Sequence, residues 1–247
     1  MAQSRTAIGF GSTMRRDAWW LELIPVIIVL GAFSVYATWR AFENEYYEFG
    51  PYLSPFYSPL IKPRWWPLSP ALLILWAPLG FRATCYYYRK AYYRAFFLDP
   101  PACAVGESHP HRYSGESRFP FILQNLHRYF LYVALIFLII LWYDAISAFW
   151  FEGQLGVGVG SLVLLANIVL LSFYTLSCHS LRHIVGGKLD CFSCVALGAP
   201  RHAAWRGASF LNEHHMLFAW LSLFSVGLAD LYIRLVASGS IHDLRLL

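Results

Sequence analysis

The chain has 247 residues, of which 58% are hydrophobic, 18% aromatic and only 13% charged. Soluble domains hold about 45–50% apolar residues. A soluble fold of this length has no interior to hide the excess, so the composition excludes soluble classes and predicts an all-α integral membrane protein. The formal charge of +5 needs no nucleic acid to balance it, because Lys and Arg gathered in cytoplasmic loops produce the same sum.

A crossing helix needs about 20 mostly apolar residues, and five stretches supply them, forming one membrane domain over residues 1–247. The opening MAQSRTAIGFGSTMRRDAWW looks like the front of a signal sequence. It lacks a small-residue cleavage site and runs into an apolar stretch long enough to span, so it reads as a retained first helix, about 19–39. Residues 43–67 are crowded with prolines and aromatics and form no single regular element. They read as an ordered external loop on the bundle, with Trp65 and Trp66 in an interfacial belt. The second span, about 68–97, carries an aromatic and basic extension. The third covers about 121–150, the fourth 156–185 and the fifth 210–236.

Loop charge sets the orientation. Arg5, Arg15 and Arg16 precede the first span, and Arg89, Lys90, Arg94, Arg112 and Arg118 separate the second from the third. Lys188, Arg201 and Arg206 separate the fourth from the fifth. On the opposite side Glu43, Glu45 and Glu48 offset Arg40, Lys62 and Arg64, and the third-to-fourth connection offers Asp144 and Glu152. The positive-inside rule places the N-terminus in the cytoplasm and the C-terminus outside.

Five cysteines form no secretory framework, which leaves metal or redox chemistry open. Three of them lie in SCHSLRHIVGGKLDCFSC, Ser177 to Cys194, at the cytoplasmic end of the fourth span. On a helix, His179 and His183 share one face, and Cys178 points about 100° from His179. Gly186 and Gly187 end the helix, and Cys191 and Cys194 return as a CxxC pair. Two His and two Cys suit structural zinc or a Rieske-type [2Fe–2S] cluster. Haem b would need histidines on different spans, such as His127 with His179 or His183. A redox centre at this depth could connect a soluble electron donor with a lipid-soluble carrier, whereas a zinc site would staple a loop.

Other polar groups gather at the same end. Arg82, Cys85 and Tyr86 end the second span, with Cys103 in the adjacent loop. His127 and Arg128 open the third span, and His214 and His215 open the fifth. A quinone headgroup needs donors to its carbonyls and a source of protons, which His, Arg and Tyr provide. Near the outer end of the fifth span, Asp230 and Arg234 are spaced for an intrahelical ion pair.

GFRATCYYYRKAYYRAFF with DPPACAV, QNLHRYF, CHSLRHIVGG with DCFSC, and NEHHMLFAW together resemble the membrane-anchor subunit of bacterial succinate dehydrogenase (respiratory complex II), in the single-anchor class of actinobacteria. The resemblance implies a bundle of five transmembrane helices in the bacterial cytoplasmic membrane, docked to flavoprotein and iron–sulfur subunits. It also implies electron delivery to quinone with no succinate-oxidising activity in this chain alone, and no catalytic residue of its own. For this class it implies a Rieske-type [2Fe–2S] cluster in the anchor, carried over to His179, His183, Cys191 and Cys194, with Cys178 next. Arg82, Tyr86, His127, Arg128, His214 and His215 are the quinone-site candidates. A haem b anchor, and a non-redox scaffold or transporter with structural zinc, are the competing expectations.

Overall fold

Away from its ends a helix satisfies its backbone polar groups within its own segment, so apolar runs fold as helices in a lipid setting. A computed structural model describes residues 9–107, 116–119, 121–187 and 189–246; Arg5, Arg112 and Lys188 lie outside them. Among the described residues four helices are long and apolar enough to cross a membrane: Trp19–Glu43, Phe121–Ser147, Val159–Leu176 and His215–Ala237. Their outward positions are bare and apolar, with Val35 and Ile139 each 71% exposed, as lipid-facing side chains require.

The elements run as follows. A 3-10 turn, Trp19–Glu22, leads into α1, Leu23–Glu43. A hairpin of β1, Glu48–Phe49, and β2, Tyr52–Leu53, follows. Next come α2, Ala71–Ile74, α3, Trp76–Ala83, and α4, Tyr86–Tyr92, which passes into a π turn, Tyr93–Phe97. A 3-10 turn, Phe121–Leu126, opens α5, His127–Ser147. The hairpin of β3, Trp150–Phe151, and β4, Gln154–Leu155, joins it to α6, Val159–Leu176. After α7, His179–Arg182, and a π turn, His183–Gly187, the chain ends with α8, Gly198–Glu213, and α9, His215–Ala237.

Three expected spans differ from this in detail. The stretch 68–97 is broken, because Pro78 has no N–H for the Ile74 carbonyl and Cys85 takes an extended backbone. The fourth span stops at Leu176, where Cys178 is likewise extended. The fifth starts at His215, since residues 210–213 belong to α8 and His214 (φ −104°, ψ 15°) interrupts the helix.

The chain packs as two compact units, Met1–Tyr36 with Arg82–Leu126, and Ala37–Phe81 with His127–Leu247. In the first, residues 11–15 are tied to 103–106. The Gly11 N–H donates to the Gly106 carbonyl at 2.9 Å, and Arg15 Nη1 to the Cys103 carbonyl at 3.1 Å. In the second, Leu164 and Ile168 of α6 pack with Ala229 and Ile233 of α9, and with Ala145, Ala148, Phe151 and Tyr52.

The loop after α1 packs some of its side chains inward and leaves others bare. Tyr57 and Ser54 are fully buried while Trp65 is 73% exposed. Buried charge holds the loop down. Asp230 and Arg234 form the expected i,i+4 pair at 2.9 Å, and Arg234 also reaches Glu43 at 2.7 Å and the Glu45 carbonyl at 2.5 Å. Ser54 donates to Asp230, and Ser58 to Asp144.

A second clasp is centred on Asp243, which accepts from Tyr52 and Tyr232, each at 2.7 Å, and from the Gly160 N–H at 3.0 Å. Burial, with the Asp243 carboxylate beside it, pushes the Tyr52 hydroxyl up to about 12. Removing one partner of a buried ion pair strands the other in a poor solvent and costs about 3–5 kcal/mol. Arg234→Met is therefore expected to lower the thermal stability of the detergent-solubilised protein by that order. The double variant Asp230→Asn/Arg234→Met should recover much of the loss.

Candidate functional site

At the end of α6 the chain turns on Ser177 and Cys178, both buried. The extended Cys178 (φ −61°, ψ 133°) ends one helix and opens the next. The Ser177 carbonyl freed by this break accepts from Asn212 Nδ2 at 2.8 Å, and the Ser177 hydroxyl lies 2.7 Å from His215 Nδ1. The Cys178 thiol sits 3.1 Å from His127 Nε2. Two spans thus deliver a histidine to the residues of one break.

Aromatic rings complete the layer. His127 stacks on Phe81 at 4.9 Å with an interplanar angle of 4°, and Phe81 meets Tyr174 edge-on at 5.5 Å. Tyr174 stacks on His215 at 5.2 Å. The row His127, Phe81, Tyr174, His215 places an imidazole at each end of two buried aromatic side chains. Beside it, Arg128 Nη2 lies 3.0 Å from His183 Nδ1. Arginine only donates, so Nδ1 of His183 is the accepting nitrogen.

The CxxC segment is arranged differently from the expected metal set. Cys191 and Cys194 are joined in a disulfide, His179 is exposed, and His183 faces Arg128. A sulfur bonded to another sulfur is no thiolate donor, so the set His179, His183, Cys191, Cys194 is not assembled here. Among the described residues no group of three or more His, Cys, Asp and Glu side chains converges as a metal cage. Cys178 lies instead with His127. His214 is exposed beside Phe210 and Phe218, while His215 turns inward. Phe81 and Tyr174 carried no signal as site residues in the sequence, since aromatic side chains are frequent throughout it.

In the first unit Arg82 Nη1 donates to the buried Tyr88 hydroxyl at 2.5 Å, and Tyr86 is 70% exposed with Arg89 over its ring. Cys85 repeats the local geometry of Cys178. Both are buried and extended (Cys85 φ −63°, ψ 129°), and both open a short helix that runs into a π turn. Each N–H donates three residues back, to the Arg82 and Thr175 carbonyls. Each carbonyl accepts from an arginine four residues on, Arg89 or Arg182.

Residues 21–239 match the family of actinobacterial succinate dehydrogenase subunit SdhC. The chain belongs to that family. A chain of the solved Mycobacterium smegmatis Sdh1 complex in the apo form is 45% identical, with a TM-score of 0.87 over 95% of this chain and 94% of that one. No curated protein matches. This SdhC-family chain is thus a membrane-anchor subunit of an actinobacterial succinate dehydrogenase, with several apolar helices suited to a multi-pass place in the bacterial membrane.

In this SdhC-family chain the candidate site depends on α3 lying close to α5. Gly80 allows that approach, since a Cβ there would overlap the Phe130 ring. Its neighbour Phe81 then reaches His127. Overpacking of this kind costs about 1–3 kcal/mol. Gly80→Ala is expected to lower thermal stability by that amount, measured by unfolding in detergent.

Proposed function

We propose that this chain relays electrons from the soluble flavoprotein and iron–sulfur subunits of succinate dehydrogenase to a quinone in the membrane. Its N-terminus and Lys/Arg-rich loops lie on the cytoplasmic side. The match to a chain of a Sdh1 complex supports the partnership. The observation that carries the reading is the buried layer in which Cys178 lies against His127, with the imidazoles of His127 and His215 capping the Phe81–Tyr174 pair. Imidazoles at membrane depth are costly without a task.

Quinone reduction takes up two electrons and two protons. Arg128 and His183 form a donor-rich edge beside the layer, and imidazoles there can pass protons to a carbonyl oxygen as it gains charge. His127, His215, Arg128 and, next to them, His214 are the quinone-side candidates this unit offers. Arg82 and Tyr86 keep that role within the other unit.

For the [2Fe–2S] cluster, the donor chemistry of Cys178 and His127 fits, since Rieske ligation draws on both sulfur and neutral imidazole. Within the other unit, Cys85 is a buried thiol with a similar local backbone. Cys191 and Cys194 could ligate only after their disulfide is reduced. When bound, a cluster with two imidazole ligands accepts an electron at higher potential than an all-thiolate one.

Electron paramagnetic resonance of the dithionite-reduced complex tests this. A Rieske-type signal beyond those of the soluble subunits should survive Cys191→Ser/Cys194→Ser and His179→Ala/His183→Ala, and should vanish in Cys178→Ser and His127→Ala. Quinone reduction should fall with it. The reverse pattern moves the centre to the CxxC loop. Sharp reduced haem bands identify a haem b anchor, and zinc without additional iron identifies a structural staple.

A further inference from the structure

The Cys191–Cys194 disulfide has no part in the electron relay just described, yet it is packed against the segment that holds Cys178. Phe192, inside the bridged loop, lies 5.0 Å from the His202 ring and 5.9 Å from the Trp205 ring, centroid to centroid. Gly186 makes room for it: a Cβ there would come within 2.7 Å of the Phe192 ring and 2.9 Å of Trp205. Trp205 in turn faces the Arg182 guanidinium at 5.2 Å, and Arg182 Nε donates to Ser209 at 2.8 Å. The Arg182 N–H closes the first turn of α7 on the Cys178 carbonyl. Arg201 Nε ties the Val185 carbonyl of the adjoining π turn to α8 at 3.1 Å. A continuous run of packed groups therefore leads from the disulfide, through Phe192, Trp205 and Arg182, to Cys178.

Access and chemistry favour exchange. Cys194 is exposed and Cys191 partly so, and their loop lies on the side bearing the Lys/Arg-rich segments, read above as cytoplasmic. Disulfides in that compartment are characteristically transient or redox-sensing. We propose that Cys191–Cys194 is a thiol–disulfide exchange site for a dithiol reductant, and that its redox state sets the support of the Cys178 segment. A thiolate of the reductant attacks Cys194 Sγ, the Sγ–Sγ bond breaks, and Cys191 departs as a thiolate that takes a proton. The second reductant thiolate attacks the mixed disulfide and releases Cys194, which is protonated in its turn. Two electrons and two protons reach the chain, and the reductant leaves as its own disulfide. Opening the loop frees Phe192 from Trp205 and loosens α7. The regulatory half of this proposal rests on the electron-relay reading; the exchange site does not.

The test uses the intact complex with dithiothreitol as the reductant. Iodoacetamide followed by mass spectrometry should label Cys191 and Cys194 only after reduction. Hydrogen exchange across residues 179–187 should rise several-fold on reduction in the wild type, and should be indifferent to dithiothreitol in Cys191→Ser/Cys194→Ser. The succinate:quinone rate should fall several-fold in the wild type alone. Labelling of both cysteines without reductant, or exchange that does not respond to reduction, overturns the proposal. In a complex active with quinone, a rate equally sensitive in the wild type and the double serine variant overturns the regulatory half. If the chain relays no electrons, the labelling and exchange results still decide whether the site exists.

Discussion

Each carbonyl freed where a helix stops inside a membrane protein must find its donor within the protein. That constraint shapes the molecule. The Ser177 carbonyl takes Asn212, the Ala83 carbonyl takes the Tyr92 hydroxyl at 3.0 Å, and the Val185 carbonyl takes Arg201. At the other end of the helices the Arg40 carbonyl accepts from Tyr57 and Arg234, and the Ala148 carbonyl from Ser161. Polar side chains buried next to the breaks are thus explained first as backbone partners. Cys178 beside His127, and the ring-stacked His215, are the ones that invite a chemical role.

Charge obeys the same accounting. Arg234 is almost wholly buried, and it is tolerable there because Asp230, Glu43 and two carbonyls surround it. A buried pair of this kind adds little net stability over an apolar replacement, but losing half of it is costly. The same groups seat the loop after α1, through Glu43 and the Glu45 carbonyl. The site layer relies instead on aromatic stacking. Imidazole rings fixed against Phe81 and Tyr174 lose little freedom on engaging a ligand.

Much of this could be read before any coordinates. Apolar runs located the four long helices, proline crowding marked the loop after α1, and the i,i+4 spacing of Asp230 and Arg234 announced their pair. The gathering of His127 and the His214–His215 pair near the Cys178 segment was also legible, because each opens or closes an apolar run. The breaks at Cys85 and Cys178 were not, since the apolar pattern continues across them and only backbone dihedrals change. Helix α8 escaped because Arg201, His202 and Arg206 give it the composition of a loop. The choice of His215 over His214 follows from the interruption at His214, which no side-chain pattern encodes. CxxC spacing serves metal and disulfide equally, so it could not separate the two.

The Asp243 clasp bears on how the chain comes together. It joins Tyr52 to a carboxylate 191 residues further along and also draws in the start of α6 and the C-terminal part of α9. Contacts of such separation form only after the intervening chain has been placed, because closing a long loop costs entropy before it returns any energy. The loop after α1 precedes α6 and α9 in the chain, yet it has no seat until those helices stand beside each other. It must wait until both of those helices are in place. Its prolines, which keep it from pairing as an exposed strand, suit a segment with that wait ahead of it.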